Sequence, residues 1–156
     1  MKLTNKELSL IQDSDFLLTK VKVISKIFRL LEITENNLRK IINETTFKFP
    51  LGTKIKYGKI SKGETYLKLP YLILDYPTLF TNRDIFAFRT MFWWGNFFSA
   101  TIHLQGESLN IFRNKIIDNY KYLLNQNIYI CVANNPWEYH YKKSNYVLLK
   151  NSSKDL

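Results

Sequence analysis

Few residues of this chain have the side chains and the setting that catalysis requires. Three are candidates: Asp75 ends one apolar run, and Arg89 and His103 lie inside another. A pocket that joined a carboxylate, a guanidinium and an imidazole would be an acid–base site for a small molecule. A structural role is the stronger interpretation, because a guanidinium on an apolar strand face must find an acceptor or reach solvent. We therefore predict an ion pair between Asp75 and Arg89.

Motifs for metal binding and for a catalytic nucleophile are missing from the sequence. Cys131 is the only cysteine, which excludes an intramolecular disulfide and the cysteine-rich zinc motifs. Glu138 and His140 are two residues apart on a predicted strand, where the carboxylate would orient the imidazole, but this spacing is common by chance. No Gly-x-Ser-x-Gly or His-Glu-x-x-His motif is present. The sequence predicts no metal and no cofactor, and an enzyme ranks third among the functions considered.

Aromatic and basic residues are the more prominent feature of the chain. Of its 156 residues 15% are aromatic, and the formal net charge of +10 favours an anionic partner. The lysines are spread along the chain, which also suits an ordinary solvated surface. The candidate binding residues combine both types: Trp93, Trp94, Phe97, Trp137, Tyr139, Lys142 and Lys143.

The aromatic run over residues 84–105 is the element around which the other predictions are arranged. Gly95 and Asn96 suit the centre of a type II′ turn, which predicts a hairpin in which Trp94 faces Phe97 and Trp93 faces Phe98. Bulky apolar groups on both faces favour central sheet strands, or strands that meet a partner. Two alternatives remain open: a helix over 84–94, and a transmembrane helix, for which Arg89 would cost about 2.5–3.5 kcal/mol.

Helical periodicity occupies the start of the chain. Thr4 and Glu7 have the spacing of a capping box. Apolar residues then recur at steps of three and four residues, which predicts an amphipathic helix, and Thr34 could open a further one. We expect a helical pair over residues 1–45, packed on a mainly antiparallel sheet.

The rest of the chain alternates between strand and helix patterns. Strands are predicted at 54–60 and 69–77, the hairpin at about 84–105, one helix at about 107–124, and a C-terminal three-stranded meander that includes residues 137–141. The sequence predicts one α+β domain over residues 1–156, with a helical layer at 1–45, a sheet and one helix at 46–149, and a polar tail at 150–156. The first residues lack an apolar signal core, so we expect a cytoplasmic protein that is not integral to a membrane.

These patterns favour a small basic binding protein over an enzyme. Its partner is expected to be another protein, or a second copy of the chain, held by an aromatic sheet or hairpin surface that includes some of Phe92, Trp93, Trp94, Phe97 and Phe98. The alternative is single-stranded nucleic acid or RNA, bound by a basic aromatic sheet face. Steeply salt-dependent binding would favour nucleic acid over protein.

Overall fold

A computed structural model describes residues 2–152 and confirms the predicted α+β fold class. Its elements are α1 (Asn5–Gln12), α2 (Ser14–Glu44), β1 (Lys59–Tyr66), β2 (Leu69–Phe80), β3 (Ile85–Trp93), β4 (Phe98–Gln105), α3 (Glu107–Asp118), α4 (Tyr120–Leu123), β5 (Tyr129–Cys131), β6 (Tyr146–Leu148) and a 3-10 helix (Leu149–Asn151). Strands β1 to β4 form an antiparallel sheet in that order, and β5 pairs with β6. The predicted polar tail begins in the 3-10 helix, and residues 153–156 lie outside the described residues.

The chain divides into two compact units. The first comprises the described residues up to Phe80 together with Phe86–Ile102, and the second comprises Thr81–Ile85 together with the described residues from His103 onward. Among residues 2–152, no helix combines the length and the apolarity needed to cross a membrane.

Side-chain caps begin the two N-terminal helices. In the predicted capping box, Glu7 donates its backbone N–H to Thr4 Oγ1 at 3.3 Å, and Glu7 Oε2 accepts from the backbone N–H of Thr4 at 2.6 Å. Asp13 caps α2 through Oδ1, which accepts from the Phe16 N–H at 2.8 Å. The predicted helix start at Thr34 is wrong. Its hydroxyl donates to the Leu30 carbonyl at 2.9 Å and is thereby satisfied inside the continuous helix.

One face of α2 packs on β2 and forms the core of the first unit. Leu31 is fully buried against Leu72, Leu74 and Tyr76, which alternate along β2 and so project from one face of the sheet. The partly buried residues around this cluster are Ile24, Ile27, Leu38, Ile42, Ile60 and Phe92. Full burial of a leucine side chain contributes about 1.5–3 kcal/mol, so this contact anchors the long helix.

Strands β3 and β4 form the predicted hairpin, so residues 84–94 are not helical. The predicted register is wrong by one residue. The Asn96 N–H donates to the Trp93 carbonyl at 3.1 Å and the Trp93 N–H donates to the Phe97 carbonyl at 3.0 Å, which makes Trp94 and Gly95 the central residues. Gly95 has a φ of +69°, the positive value that a type II turn requires at this position. In the sheet order β3 is internal and β4 is an edge strand, so only one arm is central.

The first strand also differs from its predicted position at 54–60. β1 pairs with β2 over Lys59–Tyr66, and the chain reverses at Leu67 and Lys68, whose φ values are +47° and +66°. Gly63 is inside the strand beneath the ring of Tyr71, where a Cβ would be 2.4 Å from Cζ. Gly63 therefore allows the close approach of the Tyr71 ring and does not form a turn.

The helical part of the second unit is broken where one helix was predicted. Asn119 separates α3 from α4, and its side-chain amide donates to the Lys115 carbonyl at 2.8 Å. At the other end Gly106 has no side chain with which to cap α3. Asp84 supplies the missing acceptor, because its Oδ1 receives the N–H of Ser108 at 2.8 Å.

The predicted three-stranded meander is a two-stranded ladder. Residues 137–141 are not a strand, and β5 pairs directly with β6. The buried Asn145 holds the segment between them. Its side-chain amide donates to the His140 carbonyl at 2.9 Å, and its backbone carbonyl accepts from the Val132 N–H at 2.8 Å. A buried amide thus replaces the backbone ladder that the alternating pattern predicted.

Candidate functional site

Asp75 and Arg89 form the predicted ion pair. Arg89 Nε donates to Asp75 Oδ1 at 2.6 Å, and Nη2 donates to Oδ2 at 2.7 Å. Their side chains are only 12% (Arg89) and 11% (Asp75) exposed, and they lie on the adjacent strands β3 and β2. Two parallel charge-assisted hydrogen bonds offset the cost of removing both charges from water. The ion pair therefore links the side chains of β2 and β3.

The third catalytic candidate, His103, belongs to the second unit. It is buried, and its ring packs edge-on against Trp137 with 4.6 Å between the ring centroids. The structure therefore pairs Asp75 with Arg89 and pairs the His103 ring with Trp137.

Glu138 and His140 lie in the segment between β5 and β6, and Cys131 is the last residue of β5. Glu138 Oε2 and His140 Nε2 are 3.7 Å apart, as their spacing in the sequence suggested. Cys131 Sγ lies 3.7 Å from Asn145 Oδ1, an amide oxygen that serves Cys131 as a weak acceptor. No group of three or more His, Cys, Asp or Glu side chains within residues 2–152 could hold a metal ion.

The hairpin separates its aromatic residues into a buried set and an exposed set. Trp93 is only 5% exposed, with Tyr66 and Phe97 against its ring at centroid distances of 5.0 and 5.6 Å. Phe98 and Ile102, by contrast, are 48% and 54% exposed. Trp93 is a core residue, and the exposed apolar surface lies on the edge strand β4.

We define the hairpin patch as Phe92, Trp94, Phe98 and Ile102. The Phe92 ring contacts Phe98 at 4.8 Å and Trp94 at 5.5 Å between centroids. Ile102 is four residues beyond Phe98 and therefore projects from the same face of β4. Sequence reasoning missed Ile102, although strand alternation from Phe98 was a signal that could have found it.

The predicted C-terminal binding residues differ in their exposure to solvent. Tyr139 is buried, whereas Trp137, Lys142 and Lys143 are exposed. The Lys142 carbonyl accepts the N–H groups of Asn145 and Tyr146 at 2.8 and 3.0 Å, so this residue begins the turn into β6. Because it is buried, Tyr139 counts among the core residues, and it belongs to the second unit.

Tyr141 belongs to a cluster of three tyrosines. Its ring lies 4.7 Å from that of Tyr129 and 5.2 Å from that of Tyr146. Burial raises the pKa of the Tyr141 hydroxyl, and the Tyr129 phenolate adds to the increase. The cluster therefore favours the neutral phenol at position 141.

A basic segment leads into the sheet of the first unit. Residues 45–63 hold five lysines and no acidic residue. All five lysine side chains are exposed, and so is Tyr57, which lies between them. They are Lys48, Lys54, Lys56, Lys59 and Lys62. This segment combines the cations and the open aromatic ring that single-stranded nucleic acid requires.

Comparison with protein-family models, with curated proteins and with solved structures finds no match to this chain.

Proposed function

We propose that this protein binds another protein through the hairpin patch. The observation that carries the proposal is the exposure of Phe98, whose ring contacts that of Phe92, and of Ile102 on the same face of the edge strand β4. Contiguous exposed aromatic and aliphatic side chains mark interaction sites, because a folded chain otherwise buries them. Aromatic residues of this kind supply a large share of the binding energy at interfaces.

The position of β4 supports a partner that contributes an extended segment. β4 is the last strand in the order of the four-stranded sheet. A peptide that added to such an edge would gain backbone hydrogen bonds, and its apolar side chains would reach the hairpin patch. The net charge of +10 favours acidic residues around the apolar ones in the partner.

Ile102→Asp provides the test of this surface, with Ile117→Asp as its matched control. Both isoleucines are similarly exposed, at 54% and 58%, but Ile117 lies on α3. We expect a partner captured by the wild-type protein to bind purified Ile117→Asp normally and to lose at least tenfold in affinity for Ile102→Asp. Equal affinities for the two variants, measured by calorimetry, would contradict the proposal.

A second candidate function is binding of single-stranded nucleic acid by the basic segment. The five lysines without an acidic neighbour and the exposed ring of Tyr57 favour it. Each phosphate contact changes the slope of log affinity against log salt by about 0.7 for single strands. The double variant Lys54→Gln/Lys56→Gln should therefore lower the slope by about 1.4, whereas Lys22→Gln on α2 should not change it. An anisotropy titration that detects no binding at low salt would exclude this function.

The cytoplasm remains the proposed location. Cys131 forms no disulfide, and a single free thiol suits a reducing compartment. Fluorescent tagging followed by cell fractionation would test this placement.

A further inference from the structure

The middle of the basic segment is held at both of its ends by other parts of the first unit. The Lys54 N–H donates to the Thr78 carbonyl of β2 at 2.7 Å, and the Thr78 N–H donates to the Lys54 carbonyl at 3.3 Å. Four residues later, the Gly58 N–H donates to Glu35 Oε1 of α2 at 2.9 Å. We call residues 54–58 the anchored stretch.

A third hydrogen bond holds the anchored stretch between its ends. The hydroxyl of Tyr76 donates to the Ile55 carbonyl at 2.8 Å, and Tyr76 is itself fully buried in the core that α2 covers. Gly58 passes so close to β2 that a Cβ there would lie 2.7 Å from Tyr76 Cβ and 3.2 Å from the Asp75 carbonyl oxygen. These contacts fix the path of the backbone, although the stretch belongs to no helix or ladder strand.

The side chains that the anchored stretch offers to a ligand are exposed. Lys54 and Lys56 are exposed, and the side chain of Tyr57 beside them is 67% exposed. Glu35 is also paired with Arg39 on its own helix, which offsets its negative charge. The stretch thus presents two cations and an aromatic ring on a backbone whose position is set before any ligand arrives.

We propose that Glu35 and Tyr76 are positioning residues for single-stranded nucleic acid. They hold the anchored stretch so that a base stacks on Tyr57 while phosphates contact Lys54 and Lys56. A flexible segment would have to be ordered when the nucleic acid binds, and the entropy lost in ordering it would lower the affinity. Here that entropy is already lost in the folded protein. The inference rests on the second candidate function, the binding of single-stranded nucleic acid.

Substitution of Glu35 separates positioning from electrostatics, because the two predict opposite signs. Loss of a carboxylate near the lysines would by itself strengthen the binding of a polyanion. Loss of the acceptor for the Gly58 N–H would free the stretch and weaken binding. Glu35→Leu and Glu35→Gln remove the same charge, but only glutamine keeps an oxygen that can accept this hydrogen bond. We expect Glu35→Leu to bind about two- to tenfold more weakly than the wild type and Glu35→Gln to bind at least as tightly.

Tyr76→Phe removes one hydroxyl and leaves the buried ring in place. We expect the affinity to fall about two- to tenfold, because one anchoring hydrogen bond is lost. The slope of log affinity against log salt should not change, because the same phosphates are contacted. Tyr120→Phe is the matched control, since its hydroxyl also donates to a backbone carbonyl, that of Ser152 at 3.3 Å, but in the second unit. Its affinity should equal that of the wild type.

Two measurements on the full chain test the inference. Fluorescence anisotropy with a labelled oligothymidine of about 12 nucleotides, repeated over a series of salt concentrations, gives the affinity and the slope. Hydrogen exchange gives the local opening of the anchored stretch, whose amides should exchange faster in Tyr76→Phe and in Glu35→Leu than in the wild type. Tyr57→Leu should lower the affinity at least about fivefold without a change in slope, because it removes the stacking surface.

Two results would overturn the inference and leave the candidate function in place. They are equal affinities for Tyr76→Phe and the wild type, and equally tight binding by Glu35→Leu and Glu35→Gln. If circular dichroism shows that Glu35→Leu does not fold, the comparison of Tyr76→Phe with Tyr120→Phe decides. No binding of the oligothymidine by the wild type at low salt would overturn both the candidate function and the inference.

Discussion

The guanidinium of Arg89 binds both carboxylate oxygens of Asp75 across two neighbouring strands of one sheet. Removal of either partner leaves a charge that is almost wholly withdrawn from water. We expect Asp75→Ala and Arg89→Ala each to lower the free energy of unfolding by about 3–5 kcal/mol. The double variant should lose less than the sum of the two, with a coupling of about 0.5–3 kcal/mol, as measured by urea denaturation.

An exposed ion pair on α2 provides the control for this double-mutant cycle. Arg29 Nη1 and Glu32 Oε2 are 3.3 Å apart on the helix surface, where water screens both charges. The same cycle at these positions should give a coupling of about 0.2–1 kcal/mol. Additive losses at Asp75 and Arg89 would show that the buried contact does not stabilise the sheet.

Leu30 and Leu31 are adjacent on α2 but have opposite surroundings. Leu31 is fully buried against β2, while Leu30 is exposed. We expect Leu31→Ala to lower the free energy of unfolding by about 2–5 kcal/mol because it removes buried surface and leaves a cavity. Leu30→Ala should change it by no more than about 0.5 kcal/mol. Equal losses in chemical denaturation would contradict the packing of α2 on the sheet.

Gly106 is the glycine whose replacement should be most costly. Its φ is +64°, and a Cβ would lie 2.0 Å from the Arg83 carbonyl oxygen. The left-handed backbone alone costs a non-glycine residue about 1–2 kcal/mol, and the clash adds to that cost. Gly95→Ala is the control, because its φ is +69° but the nearest atom to a new Cβ is 3.9 Å away. A smaller loss of thermal stability for Gly106→Ala than for Gly95→Ala would contradict this account.

The raised pKa of Tyr141 predicts a loss of stability in alkali. The folded state retains the phenol proton that the unfolded chain releases near the ordinary value of 10.0. The stabilising contribution is therefore complete below that pH and is lost as the pH rises through the pKa of the folded state. Urea denaturation across this range should show a steeper decline for the wild type than for Tyr141→Phe.

Burial is the first cause of that pKa shift and the Tyr129 phenolate is the second. Ultraviolet difference absorbance should therefore show Tyr141 ionising at lower pH in Tyr129→Phe, but still above the ordinary value. An unchanged Tyr141 transition in that variant would show that the two hydroxyls do not interact.

Several local features were predictable because their causes lie within a few residues. The capping box needs only Thr4 and Glu7, three positions apart, and the hairpin follows from Gly95 between two apolar arms. The Asp75–Arg89 pair was predictable for a different reason. A charge on an apolar strand has few ways to be satisfied, and few partners were available.

Other features depended on side-chain contacts that the local sequence pattern does not reveal. Gly63 resembled a turn residue but allows the Tyr71 ring to approach the strand, while Leu67 and Lys68 make the turn without any typical turn residue. Trp137–Tyr141 alternates like a strand, yet the amide of Asn145 holds the chain there in another path.

Local patterns in the sequence predict the amphipathic helix, the aromatic hairpin and the buried charge pair, since periodicity and the cost of burying charge act locally. Which aromatic residues are core depends on the packing of the strands. A shift of one residue in the hairpin turn, together with the position of β4 at the sheet edge, buries Trp93 and exposes Phe98 and Ile102. Burial is a property of the whole sheet, because each strand is covered or exposed by its neighbours.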